Sequence, residues 1–181
     1  MQPHAAQRDG ADICAAFPNP KLEAHMTKPL TTNTVFDSIA LQLGFHGDGA
    51  TRFIEETGYY LLINHQKSVY NDKFYINIGI IYKELLKTPP SARDLNGAFN
   101  VKNPTTVVHV DFRLDDLPGA SQNLQETLDS LIKQNDPKRI THVLTENLIK
   151  LLSFMHKNHA RSTIKSLRDQ KKLNAMILKE V

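Results

Sequence analysis

The alternation of apolar and polar side chains is clearest in two neighbouring segments, residues 59–68 and 73–82. Only four residues, 69–72, connect them. Because successive side chains of a strand point to opposite faces, the pattern predicts a hairpin with one aliphatic face and one polar face. The polar face carries amide side chains at mid-strand positions, where β-branched residues are usual, and it therefore needs an explanation.

The register of this hairpin follows from its turn. A turn centred on Tyr70-Asn71 pairs one residue of each strand at every step away from it. The predicted cross-strand pairs are Asn64 with Asn77, Gln66 with Tyr75, Ile63 with Ile78 and Leu61 with Ile80. The first two pairs gather amide and phenol groups on one face, and the last two place aliphatic groups on the other.

Apolar spacing predicts a helix before the hairpin, from about Thr34 to a stop at Gly44, and then a short strand over residues 52–57. After the hairpin, proline and Asn-Gly signals predict a long polar loop over residues 87–104. Irregular loops of this length are often functional or disordered. Residues 105–114 alternate and predict a fourth strand.

The fourth strand separates two sets of side chains. The expected faces are Val108, Val110, Phe112 and Leu114 on one side, and Val107, His109, Asp111 and Arg113 on the other. Half-burial of a strand explains such a pattern without any chemistry.

Three helices are predicted after the strands. The first is capped by Ser121, and the second begins at Asp136-Pro137, an N-cap followed by proline at the first helical position. The third runs from about Ser162 and includes Ile177 and Leu178. Segregated strands and helices predict an α+β fold: a four-stranded, mainly antiparallel sheet with one N-terminal helix and about three C-terminal helices, packed mainly on one face. The opposite face should stay at least partly open to solvent.

The chain length of 181 residues is typical of one domain, expected over residues 31–181. Residues 1–30 show no sustained periodicity and contain four prolines, which predicts a flexible leader. The single cysteine, Cys14, excludes an internal disulfide framework and a cysteine-built metal site. No apolar run approaches the ~18 residues of a membrane span, and no secretory signal is recognisable. These features indicate a cytosolic protein without membrane contact.

Charge is unevenly distributed along the chain. Residues 137–181 contain ten Lys and Arg against three acids, whereas residues 1–136 are mildly acidic. The basic residues that could contact nucleic acid phosphates are Lys157, Arg161, Lys165, Arg168, Lys171 and Lys172. An acidic protein is a second possible partner, and a solvated helix face is the simplest explanation.

A further pattern spans the first helix and the strands. It comprises Gly44-Phe45, Gly49, Phe53, Ile63-Asn64-X-Gln66-Lys67-Ser68 and Phe74-Tyr75-Ile76-Asn77-Ile78-Gly79. The pattern resembles a bacterial family known as domain of unknown function 4304, over roughly residues 34–115. The resemblance implies no activity, because no established activity accompanies the family.

The amide cluster has two explanations. The amides can hydrogen-bond one another or a crossing loop, since buried polar groups must be satisfied, or they can form a binding platform for a ligand or partner. The candidate partner-binding residues are Asn64, Gln66, Lys67, Ser68, Tyr75 and Asn77, with His109, Asp111 and Arg113 nearby.

Catalytic and metal-binding patterns are scarce. A His109–Asp111 pair could support general-base chemistry, but no serine or cysteine stands in a nucleophile context. His156 and His159 are three residues apart on a helix, yet the local sequence supplies no further zinc ligand. No phosphate loop or dinucleotide fingerprint is present. The sequence therefore predicts no catalytic residue, no cofactor and no metal.

These observations favour a non-catalytic cytosolic binding protein that engages a protein partner through its open sheet face. By analogy with other compact α+β proteins, it would act as an immunity or antitoxin-like partner. The alternatives are nucleic-acid binding through the basic helices and an unrecognised enzyme in the cleft beside the long loop.

Overall fold

The structure is a computed structural model, and it describes residues 32–68, 73–100 and 102–181. The leader expected over residues 1–30 and the hairpin turn over 69–72 lie outside the described residues. The elements in chain order are α1 (Thr32–Gln42), β1 (Thr51–Glu55), β2 (Tyr59–Lys67), β3 (Phe74–Tyr82), α2 (Ala92–Asn96), β4 (Val110–Arg113), α3 (Leu124–Lys133), α4 (Pro137–Asn158), α5 (Arg161–Asp169) and β5 (Ala175–Ile177).

The predicted α+β architecture is confirmed, with one additional strand. The sheet is antiparallel throughout and its strand order follows the chain, β1-β2-β3-β4-β5. The predicted register of the central hairpin is also confirmed: Asn64 pairs with Asn77, Gln66 with Tyr75, Ile63 with Ile78 and Leu61 with Ile80.

The aliphatic face of the hairpin forms the main core. Ile63 and Ile78 are fully buried in one apolar cluster with side chains of α1, α3, α4 and α5. Helix α4 begins as predicted, with Pro137 in its first turn and Asp136 as N-cap, whose side chain accepts the Arg139 N–H at 3.1 Å. This long amphipathic helix contributes Ile140, Leu144, Leu148, Leu151 and Met155 to the main core.

The opposite face is partly covered by apolar side chains between residues 86 and 108, a stretch that contains the long polar loop predicted over residues 87–104. A second apolar cluster joins Leu62 and Ile81 of the sheet to Leu95 and the partly buried Phe99. Apolar side chains spaced within a polar segment thus fix it to the sheet, and a capping box at Ser91 begins the short helix α2.

Gly79 permits the closest approach of this segment. A Cβ atom at Gly79 would lie 2.8 Å from Phe99 Cζ and 3.0 Å from Val108 Cγ1. The absence of a side chain at mid-strand therefore lets the phenyl ring lie directly on the sheet.

The prediction of one strand over residues 105–114 was wrong in its extent. Residues 105–109 are irregular and β4 begins at Val110. Val108 packs in the second apolar cluster and Val110 in the main core, so the two do not share a face. The irregular backbone before β4 removes the strict alternation on which the prediction relied.

Two helix predictions also need correction. The third C-terminal helix, α5, ends at Asp169, and the positive φ of Lys171 (57°) is incompatible with its continuation; Ile177 belongs to strand β5. Ser121 does not cap α3, which begins at Leu124. The Ser121 N–H instead donates to the side chain of Asn147 at 2.9 Å, which binds the turn to α4.

Candidate functional site

A row of polar side chains crosses the sheet on the face opposite the main core. The register aligns Thr51, Asn64, Asn77 and Arg113 on four successive strands. The row lies at the hairpin end of the sheet, beyond the part that residues 86–108 cover with apolar side chains. Because the side chains share one face and neighbouring strands, they can contact one another directly.

Hydrogen bonds connect the amides of this row. Asn64 is buried and donates to Thr51 Oγ1 at 3.0 Å and to the Ala50 carbonyl at 3.3 Å. Asn77 donates to Gln66 Oε1 at 2.7 Å and to Asn64 Oδ1 at 3.5 Å. This network supports the structural explanation for the amides, since each buried amide group has a partner.

The same network leaves polar groups available to a ligand. Within the described residues, the Gln66 amide nitrogen and the Asn77 amide oxygen form no hydrogen bond. Gln66 is exposed and Asn77 is half-buried. Both groups are held in place by the bonds of their other amide atoms, so one donor and one acceptor are presented at fixed positions.

Arg113 completes the row at strand β4. Its guanidinium carbon lies 4.2 Å from the centroid of the Tyr75 ring, a stacked cation–π arrangement. The side chain is exposed, so the stacking orients the guanidinium while leaving its edge accessible.

An open groove of about 1060 Å³ runs over this row. Its floor contains Gln66, Asn77, Asp111 and Arg113. One wall is formed by residues of the 98–109 segment, and the other by β5 and Arg168 of α5. We call this feature the sheet groove. Five of the predicted partner-binding residues therefore line one concave surface: Gln66, Asn77, Asp111 and Arg113 on the floor and His109 in the wall.

Asp111 lies in the sheet groove between two strands. It pairs with Gly79 of β3 and with Met176 of β5, whose side chain is 74% exposed. Burial raises the pKa of the Asp111 carboxyl, and the charge of Arg113 partly offsets this effect. A carboxylate with limited hydration gains from a donor supplied by a ligand.

His109 does not continue the polar face of β4. It precedes the strand, is 5% exposed, and its Nδ1 accepts the backbone N–H of Tyr82 at 2.9 Å. Burial lowers the pKa of His109, with Glu180 opposing that shift. The imidazole takes the place of a backbone carbonyl at the end of the ladder, which indicates a structural role, and its Nδ1 is already engaged as an acceptor.

Lys67 and Ser68 lie at the end of β2. Lys67 is exposed, and the Ser68 N–H donates to the Lys73 carbonyl at 2.8 Å, the bond that closes the described part of the hairpin. Neither residue lines the sheet groove, and strand alternation places Lys67 on the face opposite to Gln66.

The basic residues of the nucleic-acid alternative lie on the end of α4, on α5 and in the following turn. Three of them have partners: Arg161 with Glu84 at 2.9 Å, Lys165 with the Val181 carbonyl at 3.3 Å and Arg168 with Asp169 at 2.7 Å. Lys157, Lys171 and Lys172 are exposed. The basic residues are thus divided between paired and exposed side chains on α4, α5 and the turn that follows.

The sequence did not predict strand β5, nor that part of the predicted polar loop would lie against the sheet and form a wall of the groove. Ala175-Met176-Ile177 is an apolar, strand-compatible run, but three residues are too few to distinguish a strand from the end of a helix. Within the described part of the chain, no three His, Cys, Asp or Glu side chains lie close enough to hold a metal ion. None of the described helices has the length and apolar character needed to cross a bilayer.

Comparisons with known proteins give a family and no close relative. Neither the curated proteins nor the solved structures contain a match to this chain. The family model described as domain of unknown function (DUF4304) matches residues 36–150, from α1 through most of α4. The match extends beyond the residues 34–115 over which the resemblance was recognised, and it covers more than half of the chain. The chain therefore belongs to the DUF4304 family.

Proposed function

We propose that this protein is a non-catalytic, cytosolic binding protein that engages a segment of a protein partner in the sheet groove. The observation that carries the proposal is a donor and an acceptor, the Gln66 amide nitrogen and the Asn77 amide oxygen, that have no hydrogen-bond partner among the described residues. Each amide is held by one atom within the network and presents the other to the open groove. Preorganised groups of this kind reduce the entropic cost of binding.

The chemistry of the groove matches a polypeptide segment. A peptide backbone offers both N–H and C=O groups, which complement an amide oxygen and an amide nitrogen. Arg113 adds a positive group oriented by Tyr75, and Asp111 adds an acceptor on the opposite side of the floor. We therefore expect an extended segment with at least one acidic side chain, placed where it can contact the Arg113 guanidinium.

The size of the groove supports the same conclusion. Its volume of about 1060 Å³ lies at the upper limit of typical small-molecule sites, and the groove is open to solvent along its length. Small ligands are usually enclosed, whereas a protein segment can lie in an open groove with its remaining surface in contact with partner or water. By analogy with compact immunity and antitoxin proteins, the partner would be a protein whose activity is blocked by the contact.

The test is affinity capture from the native host with matched variants. Arg113→Ala and Gln66→Ala remove groove groups, while Lys138→Ala removes an exposed charge on α4, outside the groove. A specific partner should be retained by the wild-type chain and by the Lys138 variant, and lost or weakened about tenfold or more by each groove variant. A partner retained equally by all four proteins would refute the role of the groove.

The same affinity capture also tests nucleic-acid binding, the competing hypothesis. Retention of a nucleic acid that weakens steeply with added salt, and that depends on Lys157, Lys171 and Lys172 rather than Arg113, would favour the basic helices as the binding surface.

A further inference from the structure

A second cleft lies at the end of the sheet farthest from the hairpin turn. It has a volume of about 570 Å³. Its walls are the turn before β2, the end of β3 with the two residues after it, and the junction between α4 and α5. None of the groups proposed to bind a protein partner lines this cleft, so it is a separate site.

The first turn of α5 forms one wall of this cleft. The N-cap, Ala160, has no polar side chain to accept a hydrogen bond from the helix, and the first turn contains no acidic residue. Thr163 and Ile164 donate to the Ala160 carbonyl. The preceding residues, Arg161 and Ser162, line the cleft, and their N–H groups are among those that a helix leaves without an intrahelical acceptor. These N–H groups and the helix dipole give this wall a positive potential.

Tyr82 supplies an independent indication of a missing ligand atom. It lines the cleft, is 4% exposed, and its hydroxyl has no hydrogen-bond partner among the described residues. A buried hydroxyl without a partner is costly, and few occur in native structures. The residue is held in place, since its ring stacks on His109 with a centroid distance of 6.3 Å and its backbone N–H donates to His109 Nδ1.

The protonation state of Tyr82 makes it a donor. Burial raises the pKa of its hydroxyl well above the ordinary value, with smaller opposing and reinforcing effects of Arg161, Tyr59 and Glu84. The phenol therefore keeps its proton at neutral pH, and the atom that it lacks is an acceptor.

The cationic group at the cleft already binds a carboxylate. Arg161 lies 2.9 Å from Glu84 Oε1, and their side chains are 35% and 63% exposed. Exposed ion pairs of this kind contribute little to stability, so a ligand can replace Glu84 at modest cost. Tyr59 and His159 also line the cleft, and their rings stack with a centroid distance of 5.5 Å.

We propose that this cleft binds a small ligand through an oxyanion, a phosphate or a carboxylate, held by the N–H groups of Arg161 and Ser162, the Arg161 guanidinium and the Tyr82 hydroxyl. The oxyanion takes the position on Arg161 that Glu84 occupies in the free protein. Backbone N–H groups at a helix start, one guanidinium and one hydroxyl form a donor set suited to an oxyanion.

Nuclear magnetic resonance titration of the full chain tests this site with two separate probes, inorganic phosphate and acetate, at constant ionic strength maintained with sodium chloride. Saturable shifts of the Arg161 and Ser162 amides are expected at millimolar concentrations of one probe. Response to phosphate alone identifies a phosphate-bearing ligand, and response to acetate alone identifies a carboxylate. Absence of saturable shifts with both probes would overturn the site.

Three variants separate the site from general charge effects. Tyr82→Phe removes only the hydroxyl and should weaken binding about tenfold, because a hydrogen bond to a charged group is lost. Tyr75→Phe makes the same change at a residue that does not line this cleft and should leave oxyanion binding unchanged. Glu84→Gln removes the competing carboxylate and should tighten binding.

The stability of each variant is checked by thermal unfolding. The Tyr82 variant should keep the fold, since its hydroxyl has no partner to lose. Equal affinity of the Tyr82 variant and the wild-type chain, or weaker binding by the Glu84 variant, would refute the assigned donors.

Discussion

His65 should make the stability of this fold depend on pH between about 4 and 6.5. The imidazole is 7% exposed and lies between the rings of Phe36 and Phe74, with centroid distances of 5.1 and 4.6 Å. Its Nε2 has no hydrogen-bond partner among the described residues. Burial without a partner for the charged form lowers the pKa of His65 from 6.5 to about 4.

The direction of the pH effect on stability follows from the number of protons bound by the folded and unfolded chains. Between the two pKa values the unfolded chain binds a proton at His65 and the folded chain does not, so acid favours unfolding. The free energy of unfolding linked to neutral His65 is fully present above pH 6.5 and is lost as the pH falls towards 4. A difference of about 2.5 pKa units corresponds to about 3 kcal/mol of unfolding free energy.

The substitution His65→Phe isolates this effect. A phenyl ring can occupy the space between Phe36 and Phe74 but cannot bind a proton. Urea unfolding of both proteins at several pH values gives the free energy of unfolding of each. The difference between them should shift by about 3 kcal/mol in favour of the variant from pH 7 to pH 4.

Other titrating groups are common to both proteins and cancel in this comparison. They include His109, whose pKa burial also lowers. Parallel stability curves for the two proteins would show that protonation of His65 is not linked to unfolding, and would refute the reasoning.

Two further predictions concern the folded scaffold. Gly79→Ala should lower the free energy of unfolding by about 1–3 kcal/mol, because its Cβ would collide with the Phe99 ring. Gly58→Ala is the matched control, since no atom lies within 4 Å of a Cβ at that position. Equal denaturation midpoints of the two variants would contradict the close contact at Gly79. Asp136→Ala should cost about 1 kcal/mol by removing the N-cap of α4, a loss measurable by thermal unfolding and absent if the cap contributes nothing.

The central hairpin was predictable because its signal is local. Strand alternation and a short connection fix which residues pair and which face they share, and the pairing of Asn64 with Asn77 follows from these two facts alone. The helix start at Asp136-Pro137 was predictable for the same reason, since an N-cap and a proline act within one turn.

The walls of the sheet groove were not predictable because their positions depend on tertiary contacts. Leu95 and Phe99 stand in a polar segment without a regular period, and only the surface of the sheet gives them a place to be buried. His109 belongs to a pattern that reads as a strand, but its side chain replaces a backbone partner of Tyr82 and ends the alternation. A side chain that takes the place of a backbone hydrogen-bond partner gives no signal in the hydrophobic periodicity of the sequence.

The polar row also has a consequence for folding fidelity. A shift of one residue between β2 and β3 would turn Asn64 towards the main core and Ile63 towards the groove, exchanging the two environments along the whole strand. Each misplaced amide would lose its partners in an apolar interior, so mispaired hairpins are penalised when the helices dock on that face. The residues that would select a partner thereby also discriminate the correct strand pairing from its nearest competitors.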